Sequence, residues 1–194
     1  EKLFNAPIKR KILLTLLLVN DNPQIIPQKM KKLLLLLSLF ALTNLSALAQ
    51  LQYHEASQFQ LIGHPKVASE RLYTRLPDSL KGKIREQLWH LGQNSAGMAI
   101  RFRSNASTIG ARWKNMSVFN MNHMTPTGIR GLDLYCLQDD GTWTFVNSAR
   151  PREQLTTTAT IIDNMTSKPR EYMLYLPLYE GIDSLAIGIN PGAT

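Results

Sequence analysis

The chemistry available to this chain starts with four histidines, His54, His64, His90 and His123. A histidine can move protons near neutral pH when it sits beside a nucleophile or a carboxylate. These four are scattered, and none has the His-x-x-x-His spacing that, with a carboxylate, would hold zinc. Phosphate-cradling Gly-x-x-x-x-Gly-Lys and dinucleotide loops are missing too, so no metal and no cofactor is expected. His54 and His64 are expected to be exposed, and His90, next to Trp89, partly buried. His123 stands apart, in Met121-Asn-His-Met124, within a polar stretch that continues through Thr125-Pro-Thr-Gly128. Two readings of it are open. Either His123 and Met124 face a ligand or a neighbouring domain, or Met121 and Met124 fill core gaps while His123 caps the turn. Asp133, Tyr135 and Trp143 form a second candidate group. Asp133, close to Arg130, is expected to form an ion pair. Tyr135 and Trp143 could offer flat apolar rings to sugar C–H groups, or could cover the sheet and dock another domain.

The elements that must carry these residues read as short strands. Met98, Ile100 and Phe102 alternate with Ala99, Arg101 and Arg103, and Ile109, Ala111 and Trp113 alternate with Gly110, Arg112 and Lys114. Leu132, Leu134 and Cys136 oppose Asp133, Tyr135 and Leu137. Asp140-Gly141 signals a tight turn into Trp143–Val146. Thr156–Ile162 is rich in β-branched residues, and Tyr172, Leu174, Leu176 and Leu185, Ile187, Ile189 make two further apolar faces. Gln60–Val67 reads as an edge strand broken by Pro65. Leu80–Leu91 is the one helix candidate, weakened by Gly82. Seven or eight strands without a long helix predict an all-β fold, a β-sandwich of jelly-roll-like form. The arginines of the first two runs then belong to the solvated outer face.

A formal charge of +8 invites a nucleic-acid reading, but residues 1–49 supply +5 of it. The remaining +3 makes no strong electrostatic claim, so no nucleic-acid partner is expected. Within the basic segment, Met30-Lys-Lys32 followed by apolar Leu33–Leu45 and Ala47-Leu-Ala49 reads as a secretory signal peptide over 30–49, cleaved after Ala49. The apolar run is shorter than the roughly 20 residues a membrane span needs, so no stable anchor is expected, and the product is secreted or periplasmic. Residues 1–29 read as in-frame sequence upstream of a start at Met30, or as a long basic leader. The single cysteine, Cys136, cannot pair within the chain and reads as a small buried side chain. Residues 50–189 are the expected domain, and Asn190-Pro-Gly-Ala-Thr194 the start of a linker.

Several blocks in order carry a resemblance: Asn94-Ser-Ala-Gly97, His123-Met124, Thr127-Gly128, Gly131-Leu-Asp-Leu-Tyr135 and Arg170-Glu-Tyr-Met-Leu-Tyr-Leu-Pro-Leu178. The chain resembles the N-terminal β-sandwich domain that precedes the catalytic domain of bacterial SGNH (GDSL-type) esterases, whose hallmark is Gly-x-Asp-Leu-Tyr. The resemblance implies a parent enzyme that removes acyl groups, often acetyl, from carbohydrates. It also implies that the partner of this domain is an SGNH catalytic domain, with His123 and Met124 near its substrate mouth. Asp183-Ser-Leu185 looks like part of that family's Gly-Asp-Ser-Leu nucleophile block. However, Ile182 interrupts it, and Ser184 leads into an alternating strand rather than a helix. The family's Gly-x-Asn and Asp-x-x-His blocks do not occur here either, so catalytic residues are not assigned and hydrolysis by these residues alone is not expected. A free-standing carbohydrate-binding module is the alternative reading.

Overall fold

The structure is a computed structural model that describes residues 50–65 and 69–194, together with Lys32. The signal peptide read over 30–49 and the segment 1–29 lie outside the described residues, Lys32 apart. The described chain is an all-β sandwich. One sheet has four strands in the order β1 (Gln52–Glu55), β9 (Ile182–Ile189), β4 (Ile109–Asn115) and β7 (Thr156–Ile162). The other has five, in the order β2 (Gln60–Ile62), β3 (Ala99–Ser104), β8 (Arg170–Tyr175), β5 (Leu132–Leu137) and β6 (Trp143–Ala149). Every pairing is antiparallel.

The alternation of the sequence becomes the core. Ile100 and Phe102, Ala111 and Trp113, Leu132 and Leu134, Tyr172 and Leu174, and Leu185 and Ile187 all point between the sheets and are buried. Their neighbours Arg101, Arg103, Arg112 and Lys114 are exposed on the outer faces. Trp113 is the largest fully buried side chain, and its indole N–H donates to the Arg130 carbonyl (3.0 Å). Replacing such a residue with alanine typically costs about 3–5 kcal/mol, so this one ring is a large share of the stability of the domain. Cys136 is buried as expected, and burial pushes its thiol pKa up, which leaves it a packing group rather than a nucleophile.

Two details depart from expectation. The structure has nine strands among its described residues. The additional one is β1, whose four largely exposed residues leave too short a pattern to notice. The helix candidate is also cut back. Gly82 has φ +73°, and α1 spans only Glu86–Gly92, after a single 3₁₀ turn at Asp78–Leu80. A second short helix, α2 (Pro126–Arg130), follows the His123 segment. Thr125 caps it by accepting the Gly128 N–H (3.5 Å), and Pro126 fills the first turn, where its missing N–H costs nothing.

The register sorts the connections into two ends. The β3–β4, β5–β6 and β7–β8 turns lie at one end together with residues 190–194. There Asn190 Oδ1 accepts the backbone N–H groups of Ser107 (2.9 Å) and Thr108 (3.1 Å), and Asn105 Oδ1 accepts that of Thr194 (2.8 Å). The β4–β5 connection with α2, the β6–β7 loop and the β8–β9 loop lie at the other, which we call the loop end.

Candidate functional site

The Gly131–Tyr135 block starts at the loop end and runs onto the outer face of the five-stranded sheet, and each residue has a physical reason. A Cβ on Gly131 would stand 2.4 Å from the Thr127 carbonyl oxygen and 2.8 Å from that of Ala149. Both are backbone atoms, so only glycine fits between α2 and the end of β6. Leu132 and Leu134 enter the core. Asp133 faces outward and its carboxylate accepts the Ser148 hydroxyl (2.6 Å), which ties β5 to the edge strand β6. Tyr135 is half-buried on the same face.

Arg130 does not pair with Asp133. Its side chain is 0% exposed and turns away under the loops. It donates to the Arg152 carbonyl (2.9 Å), to Asn120 Oδ1 (3.0 Å) and to Glu153 Oε1 (3.1 Å). A guanidinium taken out of water must be hydrogen-bonded, and here three acceptors from two loops serve its Nη1 and Nη2, while the buried Nε is left without a partner. Arg130 thus clamps the β4–α2 segment to the β6–β7 loop. Ser95 performs the same service for the Asn94–Gly97 block: its buried hydroxyl lies within hydrogen-bond distance of the carbonyls of Pro177 (3.2 Å) and Glu180 (3.1 Å) in the β8–β9 loop. Glu180 is itself buried and accepts the Ser117 hydroxyl.

These clamps hold an apolar surface open to solvent. Met116, Val118, Phe119, Leu155, Leu178 and Tyr179 are between 38% and 51% exposed. Their loops are joined by backbone bonds from Met116 N–H to Gly181, from Asn115 N–H to Leu155 and from Tyr179 N–H to Ile129. His123 lies exposed in the β4–α2 segment of this same end, its Nδ1 2.8 Å from Asn122 Oδ1, while Thr125 is the residue that caps the turn. Met124 is half-buried. The Met124 thioether lies 3.5 Å from where a Cβ on Gly128 would be.

The second candidate group occupies a different place. Across the outer face of the five-stranded sheet, register puts Gln60, Arg101, Met173, Tyr135 and Phe145 in one row. Trp143 pairs with Leu137 one step toward the far end, and Tyr175 pairs with Asp133 one step toward the loop end. Phe145 and Ser148, of opposite parity, share this face because β6 bulges opposite the Leu134/Tyr135 step. The Tyr135 ring meets those of Phe145 (centroids 5.6 Å, 70°) and Tyr175 (5.4 Å, 77°) edge to face. The structure therefore separates the sequence candidates: His123 and Met124 sit at the loop end, whereas Asp133, Tyr135 and Trp143 sit on the sheet face. Phe145, Tyr175 and Arg130 carry no signal in single-strand alternation, because their roles depend on cross-strand register and loop packing.

No catalytic set assembles around Ser184. It lies exposed within β9 opposite Lys114, and the neighbouring Asp183 is held by Arg71 (2.9 Å) and Lys114 (3.4 Å) rather than by a histidine. His54 is exposed as expected, while His64 is half-buried. His90 is exposed beside Glu86 (3.4 Å) instead of partly buried, because α1 presents it to solvent. Among the described residues no three His, Cys, Asp or Glu side chains gather as a metal site, and no helix is long and apolar enough to cross a membrane.

A two-sheet sandwich with a Gly-x-Asp-Leu-Tyr strand entering from its loop end defines a class of N-terminal domain. The chain belongs to the GxDLY family, described as the N-terminus of SGNH-hydrolase-type esterases, whose model matches residues 51–194. Among solved structures it is similar to a putative GDSL-like lipase from Bacteroides ovatus, with 31% identity and a TM-score of 0.70 over 74% of this chain and 42% of that one. The fold is also that of part of the salicylyl-acyltransferase SsfX3 from a tetracycline biosynthetic pathway, with 14% identity and a TM-score of 0.51 over 74% of this chain and 40% of that one. The chain thus spans about two fifths of the length of each. Comparison with curated proteins gives no match.

Proposed function

We propose that this chain is the non-catalytic N-terminal domain of an exported SGNH-type carboxylic ester hydrolase acting on acylated carbohydrate. In this reading the loop end docks the catalytic domain, and His123 and Met124 stand at the rim of its substrate pocket. The observation that carries the reading is the apolar surface of Met116, Val118, Phe119, Leu155, Leu178 and Tyr179, open to solvent on loops held rigid by buried polar clamps. Apolar patches of this kind mark interaction surfaces, and a mostly aliphatic composition with two aromatic rings suits contact with another protein. Export rests on the sequence of residues 30–49, read as a signal peptide.

The test mixes the chain with a separately expressed SGNH domain from its own gene and follows association by size-exclusion chromatography with light scattering. A one-to-one complex that is lost in Phe119→Asp/Tyr179→Asp is the expected result. Independent elution of the unaltered domains would remove the docking reading. Amino-terminal sequencing of the exported protein tests the leader, with Gln50 as the expected first residue.

A further inference from the structure

We propose that the outer face of the five-stranded sheet is a binding platform for an extended, neutral glycan chain, gripped by the rings of Phe145 and Tyr175. The inference concerns a different surface from the docking end and does not rest on it.

Two rings on this face are more exposed than buried aromatic packing requires: Phe145 at 52% and Tyr175 at 39%. They stand on β6 and β8, the two neighbours of β5, about two strand spacings apart across the sheet and one register step apart along it, with centroids 5.6 Å and 5.4 Å from that of Tyr135. Tyr135 rises between them from β5 and presses edge to face against both. Such contacts fix ring orientation and contribute about 0.5–1.5 kcal/mol each, so the two outer rings are held rather than left to swing. Rings spaced in this way suit alternate units of an extended pyranose chain, whose C–H faces lie flat on aromatic carbon.

The surroundings of the rings supply what hydroxyl groups need. Gln60, Arg101, Arg103 and Glu171 line a shallow groove of about 340 Å³ beside the aromatic row. Arg101 and Glu171 are ion-paired across the strands, and Asp133 is occupied by Ser148. Arg103 adds one cation without an ion pair among the described residues, so the groove carries a single net positive charge, too little to select a polyanion. A polyanion would meet Glu171 and Asp133, and a hydrophobic protein surface would have to desolvate the Arg101–Glu171 pair. A neutral polyol can hydrogen-bond to the pair without breaking it, which is why the glycan is the occupant the chemistry favours.

Isothermal titration of the protein with xylohexaose, cellohexaose and mannohexaose tests this, with maltohexaose as the coiled contrast. Binding to at least one of the three extended sugars, and weaker binding to the coiled one, is expected. Phe145→Ala and Tyr175→Ala should each weaken that binding about tenfold, and the double variant should abolish it. Tyr135→Phe should retain it, and Tyr135→Ala should lose part of it although that ring serves as the brace. Both outer rings are exposed, so their variants fold even if Tyr135→Ala does not. No heat with any extended sugar, binding unaltered in the double variant, or tighter binding to maltohexaose would each overturn the proposal. Loss of association with the SGNH domain in the Phe145/Tyr175 double variant, with no sugar bound by the unaltered protein, would reassign the face to protein docking.

Discussion

The loop end and the sheet face both leave apolar surface in water, yet they are built on different principles. At the loop end the apolar side chains are mostly aliphatic, carried on irregular segments whose geometry depends on buried polar groups beneath them, Arg130 above all. On the sheet face the side chains are mostly aromatic, carried on strands whose geometry follows from backbone pairing alone. An aliphatic surface on clamped loops suits one specific protein neighbour. A row of rings on a rigid sheet suits a repetitive ligand. The Gly131–Tyr135 block spans both, beginning under the loops and ending among the rings, so a single strand sets the position of each surface relative to the core.

If this contrast holds, it can be broken one side at a time. The largest effect is expected from Arg130→Met, which leaves three acceptors in two loops without their donor. Urea unfolding should show a loss of about 3 kcal/mol, and a loss below about 1 kcal/mol would mean the loops do not depend on the clamp. Next, Phe119→Asp with Tyr179→Asp should lower ester turnover by the full-length enzyme about tenfold. The melting temperature of the chain itself should stay put, because both residues are already in water. Unaltered turnover would separate the loop end from catalysis. On the sheet face, Asp133→Ala should cost about 1 kcal/mol through loss of the Ser148 bond, and amide exchange should quicken along β6 before any other strand. The smallest effect is expected from His123→Ala, which should leave the melting temperature untouched and reduce full-length turnover by a few fold. Unchanged turnover there would take His123 off the pocket rim while leaving the docking surface intact.

Most of the core was legible in the sequence because period-two alternation reports burial directly. Met98–Phe102, Ile109–Trp113, Leu132–Cys136 and Leu185–Ile189 each point inward as their spacing implies. The misses share one cause. Arg130 looks like a surface charge beside Asp133 until two distant loops supply its acceptors. Phe145 looks like one more strand residue until register sets it against Tyr135 and, across that ring, Tyr175. His90, expected to be partly buried beside Trp89, meets water, because a neighbour in sequence says little about which side of a two-turn helix faces out. Surroundings in space decide all three, through register and loop packing for the first two and through the outward face of α1 for His90, and a single sequence does not display them.

The bulge in β6 has a consequence that reaches past this molecule. One surplus residue, Val146, reverses the parity of everything before it relative to everything after. Deleting that position would restore simple alternation and still leave Phe145 opposite Tyr135 and Trp143 opposite Leu137; straightening the strand at its present length, with Val146 set against Tyr135, is what would turn both rings toward the core. A relative of the same strand length but without the bulge would then keep the hallmark motif and the same composition, yet present a blank face. For this face, inheritance runs through one irregular step of the backbone rather than through the identity of any side chain.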